Sequence, residues 1–140
     1  DRARLRALEH SAVEAARRLE GRWAAFTRAF ILRHGLDGPQ AQRAWLALKD
    51  CQEQAGHRLN RRKDDILAHE EALRTFDPAA PDAEAKLAAL EKRSRALVAP
   101  LEDIFERQLK PRLRSLLTSA QRRDAEAMTV PQTRPVGASP

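Results

Sequence analysis

Tyrosine is absent from this chain of 140 residues, and Phe and Trp together make up only 4% of it. With three Ile and four Val besides, the β-branched and aromatic residues that usually build sheets are too few for an all-β or doubly wound α/β architecture. A single cysteine, Cys51, excludes an intrachain disulfide framework. No apolar run approaches the ~20 residues of a membrane span. Also missing are a glycine-rich phosphate loop, a G-x-S-x-G elbow, an H-E-x-x-H pair and a paired-carboxylate constellation. The sequence therefore points to no enzyme class, and no cofactor is expected. What fills the chain is Ala, Leu, Glu, Arg, Lys and Gln, the strong helix formers.

The apolar positions recur in helical steps. Leu5, Leu8, Ala12, Ala15, Leu19, Trp23, Phe26 and Phe30 share one face, predicting a helix from about Arg2 to His34 with Gly35 as its C-terminal cap. A second seam reads Ala41, Trp45, Leu48, Gln52, Ala55, Leu59, Arg62, Ile66, His69, Leu73 and Phe76. It predicts one helix from Asp37 to about Phe76, a rod of nearly ~60 Å at ~1.5 Å per residue. FDPAAPD (Phe76 to Asp82) breaks the pattern through Pro78 and Pro81. Asp82 is expected to cap a third helix, with a seam of Leu87, Leu90, Ser94, Leu97, Leu101, Ile104 and Gln108. Pro100 should kink that helix near Leu97, and Pro111 offers a second kink or break. A last short helix is expected from Ser119 to about Met128. The architecture expected is all-α: an elongated antiparallel hairpin of about four long helices spanning residues 1–128. Residues 129–140, rich in proline, read as a flexible tail or linker.

Two short motifs punctuate the helices. Leu117-Thr118-Ser119-Ala120-Gln121 is L-T-x-x-Q, a helix start in which the Thr118 hydroxyl and Gln121 side chain cap each other's backbone N–H. Leu36-Asp37-Gly38-Pro39-Gln40 has the same layout, with Pro39 tolerated in the first turn. Taken alone these are two ordinary capping boxes. Each, however, closes a turn between helices, and each is followed by basic residues.

With these boxes, and through FERQLKPRLRSLLTSAQRR (Phe105 to Arg123) and LDGPQAQRAWLALKD (Leu36 to Asp50), the chain resembles the Spy/CpxP-like LTXXQ-motif family of bacterial periplasmic helical proteins. The resemblance covers roughly Phe26 to Ala127. The first box departs from the family pattern by carrying Asp37 where Thr or Ser is preferred. The resemblance implies a curved helical homodimer in the periplasm that acts as an ATP-independent chaperone, an envelope-stress regulator or a metal sensor. It gives Leu36, Asp37, Gln40, Leu117, Thr118 and Gln121 a structural role.

Charge adds a second thread. The chain carries a net +6, concentrated in the first 35 residues and in residues 111–128. Arg58, Arg61 and Arg62 head the densest basic run, which Asp64 and Asp65 blunt. The plain reading is solvated faces laced with i,i+4 pairs; the functional one is a basic face that captures acidic or unfolded protein clients. An unbroken basic stripe, helix-turn-helix spacing and a zinc signature are all lacking, which argues against nucleic acid.

Glu53 and His57 are the one ligand-like pair on a single helix face, and two ligands do not hold a metal against water; His10, His34 or Met128 could add to them only through folding or dimerisation. No bound metal is expected, and the near-absence of Met departs from the metal-sensing branch. Cys51 reads as a small buried hydrophobe, with an intermolecular disulfide across a dimer as the alternative.

The function expected is that of a non-enzymatic periplasmic binding protein, a chaperone-like or stress-regulatory adaptor. The start at Asp1 leaves room for a signal peptide or membrane tether upstream. A cytoplasmic coiled-coil scaffold, a periplasmic metal sensor and a nucleic-acid binder are the alternatives.

Overall fold

The computed structural model describes residues 2–8 and 12–133. Among these, the chain is all-helical, with no strand. The order is α1 (Arg2–Leu8), α2 (Ala12–Arg33), α3 (Gly38–Arg61), α4 (Lys63–Arg74), α5 (Ala83–Ile104), a π-helical turn (Phe105–Leu109), α6 (Lys110–Ser115) and α7 (Ser119–Thr133). The run formed by α5, the π turn and α6 is the spine: α1 and α4 pack on α5, α2 packs on α3 and α5, and α3 packs on the whole run.

Apolar burial is divided along this spine. The main core gathers Trp23 and Phe30 of α2, Ala44, Ala47, Leu48, Cys51 and Ala55 of α3, and Leu101, Ile104, Leu109, Leu113 and Leu117 of the spine and its end. A second core, Leu8, Leu87 and Leu90 with Leu73 and Phe76 against them, ties α1 and α4 to the start of α5. Ile66 and Leu97 form a third, small cluster, with Leu59 packed against both it and the main core. Arg4 staples α1 to α5 through Glu84 and Glu91, and the guanidinium holds the Glu91 carboxyl below its ordinary pKa. Arg112 on α6 reaches Asp50 on α3 at 2.5 Å.

Helix ends follow local chemistry. Gly35 adopts φ 57°, the left-handed conformation that favours glycine. The Leu36 N–H then reaches the Ile31 carbonyl at 3.1 Å and the Gly35 N–H the Leu32 carbonyl at 3.4 Å, the paired bonds of a Schellman ending. At the other turn, Asp77 Oδ1 accepts from the Ala79 N–H at 2.9 Å, closing the loop that Pro78 and Pro81 impose.

Several sequence expectations need correction. The rod expected from Asp37 to Phe76 is two helices, interrupted at Arg62, where φ is −104° and ψ 19°. The helix expected from Arg2 to His34 is described as α1 and α2, with residues 9–11 between them outside the described residues. Asp82 starts α5, but its side chain makes no capping bond; it lies 3.5 Å from Lys86 Nζ instead. Trp45 is 39% exposed because small residues, Ala44, Ala47, Cys51 and Ala55, occupy the buried side of α3. The last helix continues through Pro131 to Thr133; the rest of the expected tail, 134–140, lies outside the described residues.

Both prolines of the spine leave a visible mark. Pro100 lies inside α5 and supplies no N–H to the Ala96 carbonyl one turn back. Arg62, the residue that interrupts the facing helix, donates to that carbonyl through Nη1 at 3.2 Å. The break in one helix thus fills the gap in the other. Just before Pro111 the helix widens into the π turn, in which the Lys110 N–H bonds the Phe105 carbonyl. The buried series Leu97, Leu101, Ile104 then resumes at Leu109, Leu113 and Leu117. The step of five from Ile104 to Leu109 suits a π turn and not an α turn, which is why Leu109, not the expected Gln108, enters the core.

Arg62→Ala should cost no more than about 0.5 kcal/mol, because the Ala96 carbonyl is exposed and water can replace the guanidinium. Most of that loss should vanish in a Pro100→Ala background, where the backbone supplies its own donor; urea denaturation of the four variants measures it.

His69 supplies a pH signature. It is 2% exposed, with Nδ1 unpartnered, and sits one turn from Ile66. Burial pushes its pKa below the ordinary value, Arg93 on α5 adds to the shift, and Glu70 opposes it. The unfolded chain therefore takes up the proton first, so stability rises with pH. Between the unfolded value near 6.5 and the lower folded value, acidification erodes stability. His69→Leu should flatten that slope in thermal melts taken as the pH falls below the ordinary histidine value. Burial and Arg33 lower the His34 pKa too, leaving a smaller residual slope.

Candidate functional site: the paired glutamines and their groove

Both motifs form the reciprocal caps their spacing implies. The Gln40 N–H donates to Asp37 Oδ1 at 2.8 Å, and the Asp37 N–H to Gln40 Oε1 at 3.0 Å. The Gln121 N–H donates to Thr118 Oγ1 at 3.1 Å, and the Thr118 N–H to Gln121 Oε1 at 2.8 Å. Leu36 packs against the main core and Leu117 is buried in it, so each box is held by its leading apolar residue.

The fold then does something that local spacing does not announce: it brings the two boxes face to face. Gln40 Nε2 donates to Gln121 Oε1 at 2.9 Å, and Gln121 Nε2 donates to Gln40 Oε1 at 3.3 Å. The second N–H of each amide goes to a helix-end carbonyl across the junction. Gln40 Nε2 reaches the Leu116 carbonyl at 2.8 Å, and Gln121 Nε2 the His34 carbonyl at 3.2 Å. A primary amide offers two donors and two acceptor lone pairs, and both glutamines use all four. The result is a closed, uncharged junction, 81 residues apart in sequence, that joins the α2–α3 turn to the α6–α7 turn.

Beside this junction lies an open groove of about 1240 Å³ between the end of α2, α6 and α7. Phe26, Phe30, Pro111 and Leu117 give it an apolar floor; Arg33, Arg114 and Arg122 stand on its rim. Trp23, Phe26 and Phe105 support it from beneath: the Trp23 and Phe105 rings stack at 6.0 Å, and Phe26 meets Phe105 edge-on at 5.1 Å. Lys110 Nζ sits 4.9 Å from the Phe105 centroid and is bonded to Glu106 at 2.9 Å. Arg33 and Arg122 make no ion pair among the described residues. Glu106 and Glu126 line the groove as well, so it joins aromatic surface to a rim of both signs in which the cations are in excess.

The other expected site residues lie elsewhere. Arg58, Arg61 and Arg62 gather at the α3–α4 break, around a separate small cleft. Glu53 and His57 are exposed on α3, and no group of three His, Cys, Asp or Glu side chains that could hold a metal ion converges among the described residues. His10 and the side chain of Met128 lie outside the described residues. Cys51 is wholly buried, and burial pushes its thiol pKa up. A disulfide to a second copy needs an accessible sulfur, so the buried-hydrophobe reading of Cys51 is the one this geometry fits. The described helices include none long and apolar enough to cross a membrane.

Comparison with family models, curated proteins and solved structures finds no match to this chain.

The paired amides should behave as one unit. Gln40→Ala orphans the Asp37 N–H, the Leu116 carbonyl and half the hydrogen-bonding capacity of Gln121, so about 2–3 kcal/mol should be lost. Gln121→Ala should lose a similar amount, and the double variant about 1–2 kcal/mol less than the sum. Thr118→Ala, which removes only a cap, should cost about 1 kcal/mol. Chemical denaturation of the set reads all three, and strict additivity would show that the amides act separately.

Proposed function

We propose that this protein is a non-enzymatic binding protein of the bacterial periplasm, a chaperone-like or stress-regulatory adaptor related to the Spy/CpxP-like LTXXQ proteins. The observation that carries the reading is the groove beside the paired boxes, where an aromatic floor lies under a rim in which Arg33, Arg114, Arg122 and Lys110 outnumber Glu106 and Glu126. Unfolded segments offer apolar side chains interleaved with charge, and such a surface can catch them loosely by long-range attraction and hold them by shallow apolar contact. Arg58, Arg61 and Arg62, at the separate cleft of the α3–α4 break, offer clients a second basic face.

In this reading the helical segments group into about four runs, each bent where a junction requires it, making an elongated antiparallel hairpin. Exposed Leu32, Trp45, Leu46 and Leu67 supply apolar surface for a second copy of the chain, in keeping with a homodimer. A tether upstream of residue 1 would hold such a dimer at the membrane.

At a stoichiometric amount, the protein should suppress the aggregation of a reduced, unfolding client followed by light scattering. Replacing Arg33 and Arg122 together by Glu should weaken that suppression several-fold without altering the far-UV circular dichroism. A protein that leaves aggregation unchanged is a passive scaffold, and the reading then fails.

A further inference from the structure

We propose that the cleft at the α3–α4 break is a binding site for the carboxyl end of another polypeptide whose last side chain is aliphatic. It is distinct from the groove at the paired glutamines, and it stands whether or not the protein protects clients from aggregation.

The cleft has a volume of about 150 Å³ and an apolar floor of Leu59, Ile66, Leu97, Pro100 and Leu101. Apolar cavities of roughly this size accept a group as large as benzene, which suits one Leu or Ile side chain. The floor is anchored from below, because Ile66, Leu97 and Leu101 are themselves buried. It exists because two irregularities face each other: the interruption at Arg62 and the proline at position 100.

The rim is cationic. Arg58 and Arg61 line the cleft and are exposed, and neither makes an ion pair among the described residues. Arg62 is already engaged, with the Ala96 carbonyl at 3.2 Å and with Asp65 at 3.4 Å. Two free guanidiniums beside a one-side-chain apolar pit match a carboxylate placed one carbon from an aliphatic side chain. That is the chemistry of a free chain terminus: the planar guanidinium fork takes both carboxylate oxygens, and terminal carboxylate capture is an established mode of peptide recognition.

The test is fluorescence anisotropy with a labelled hexapeptide ending in Leu, titrated with the full chain. The free-acid peptide should bind saturably, and its C-terminal amide at least tenfold more weakly. The Arg58→Ala/Arg61→Ala double variant should lose binding to a similar extent while its thermal melt is unchanged, since both side chains are exposed. Octanoate at equal concentration should not displace the peptide. Absence of binding, equal affinity for acid and amide, or indifference to the double variant would each overturn the proposal. Displacement by octanoate would overturn the assignment to a chain terminus.

Discussion

Two neutral amides hold the turns of this protein in place. A glutamine in a capping box has satisfied only its oxygen, and only in part; its NH₂ still needs acceptors, and burying it unmet is costly. Here each box meets that need with the other. Gln40 and Gln121 complete one another, and each also takes up a carbonyl that a helix end leaves free. The ends of α2 and α6 and the starts of α3 and α7 are thereby fixed as a group. The groove is bounded by these same ends, so its shape follows from the junction.

Away from that junction, the fold is organised by what proline takes away. Pro100 removes a donor, and a guanidinium from the facing helix replaces it. Pro111 follows a widened turn rather than ending the helix. In both cases the spine stays helical, and the irregularity leaves a trace that neighbouring residues use: a cleft at the first, a renewed run of buried leucines at the second. Near the Arg62–Pro100 level the buried apolar residues among those described fall into separate clusters, with Ile66 and Leu97 forming a small one that meets the main core through Leu59. The arm formed by α1, α4 and the start of α5 has an apolar core of its own in Leu8, Leu87 and Leu90.

Much of the fold was legible because helices announce themselves locally. Apolar steps of three and four, Gly35 and the run FDPAAPD placed most of the ends, and spacing alone identified both caps. What could not be read was which box faces which, since the pairing links residues 81 apart and no local pattern encodes a partner. The repetition of the box was the available signal. Trp45 is apolar yet faces outward, because where helices approach closely, alanines and a cysteine take the inside. Gln108 falls off the buried face because the next core leucine, counted from Ile104, arrives after five residues and not four. Arg62 belongs to a basic run, yet it also bonds the carbonyl that Pro100 leaves without a backbone donor, and only the tertiary arrangement reveals that. Asp82 had the right position and the wrong partner, because Lys86 competes for its carboxylate.

The widened turn at Phe105–Leu109 also marks where the chain can spare length. A chain lacking the exposed Arg107 could wind through this stretch as plain α-helix and still present Leu113, Leu117 and Gln121 toward the same neighbours. Shortened by one residue in the middle of α5 instead, everything downstream would swing by about 100°, carrying the second glutamine out of reach of the first. Insertions and deletions along this spine are therefore unequal, and the tolerated ones should cluster in this single turn.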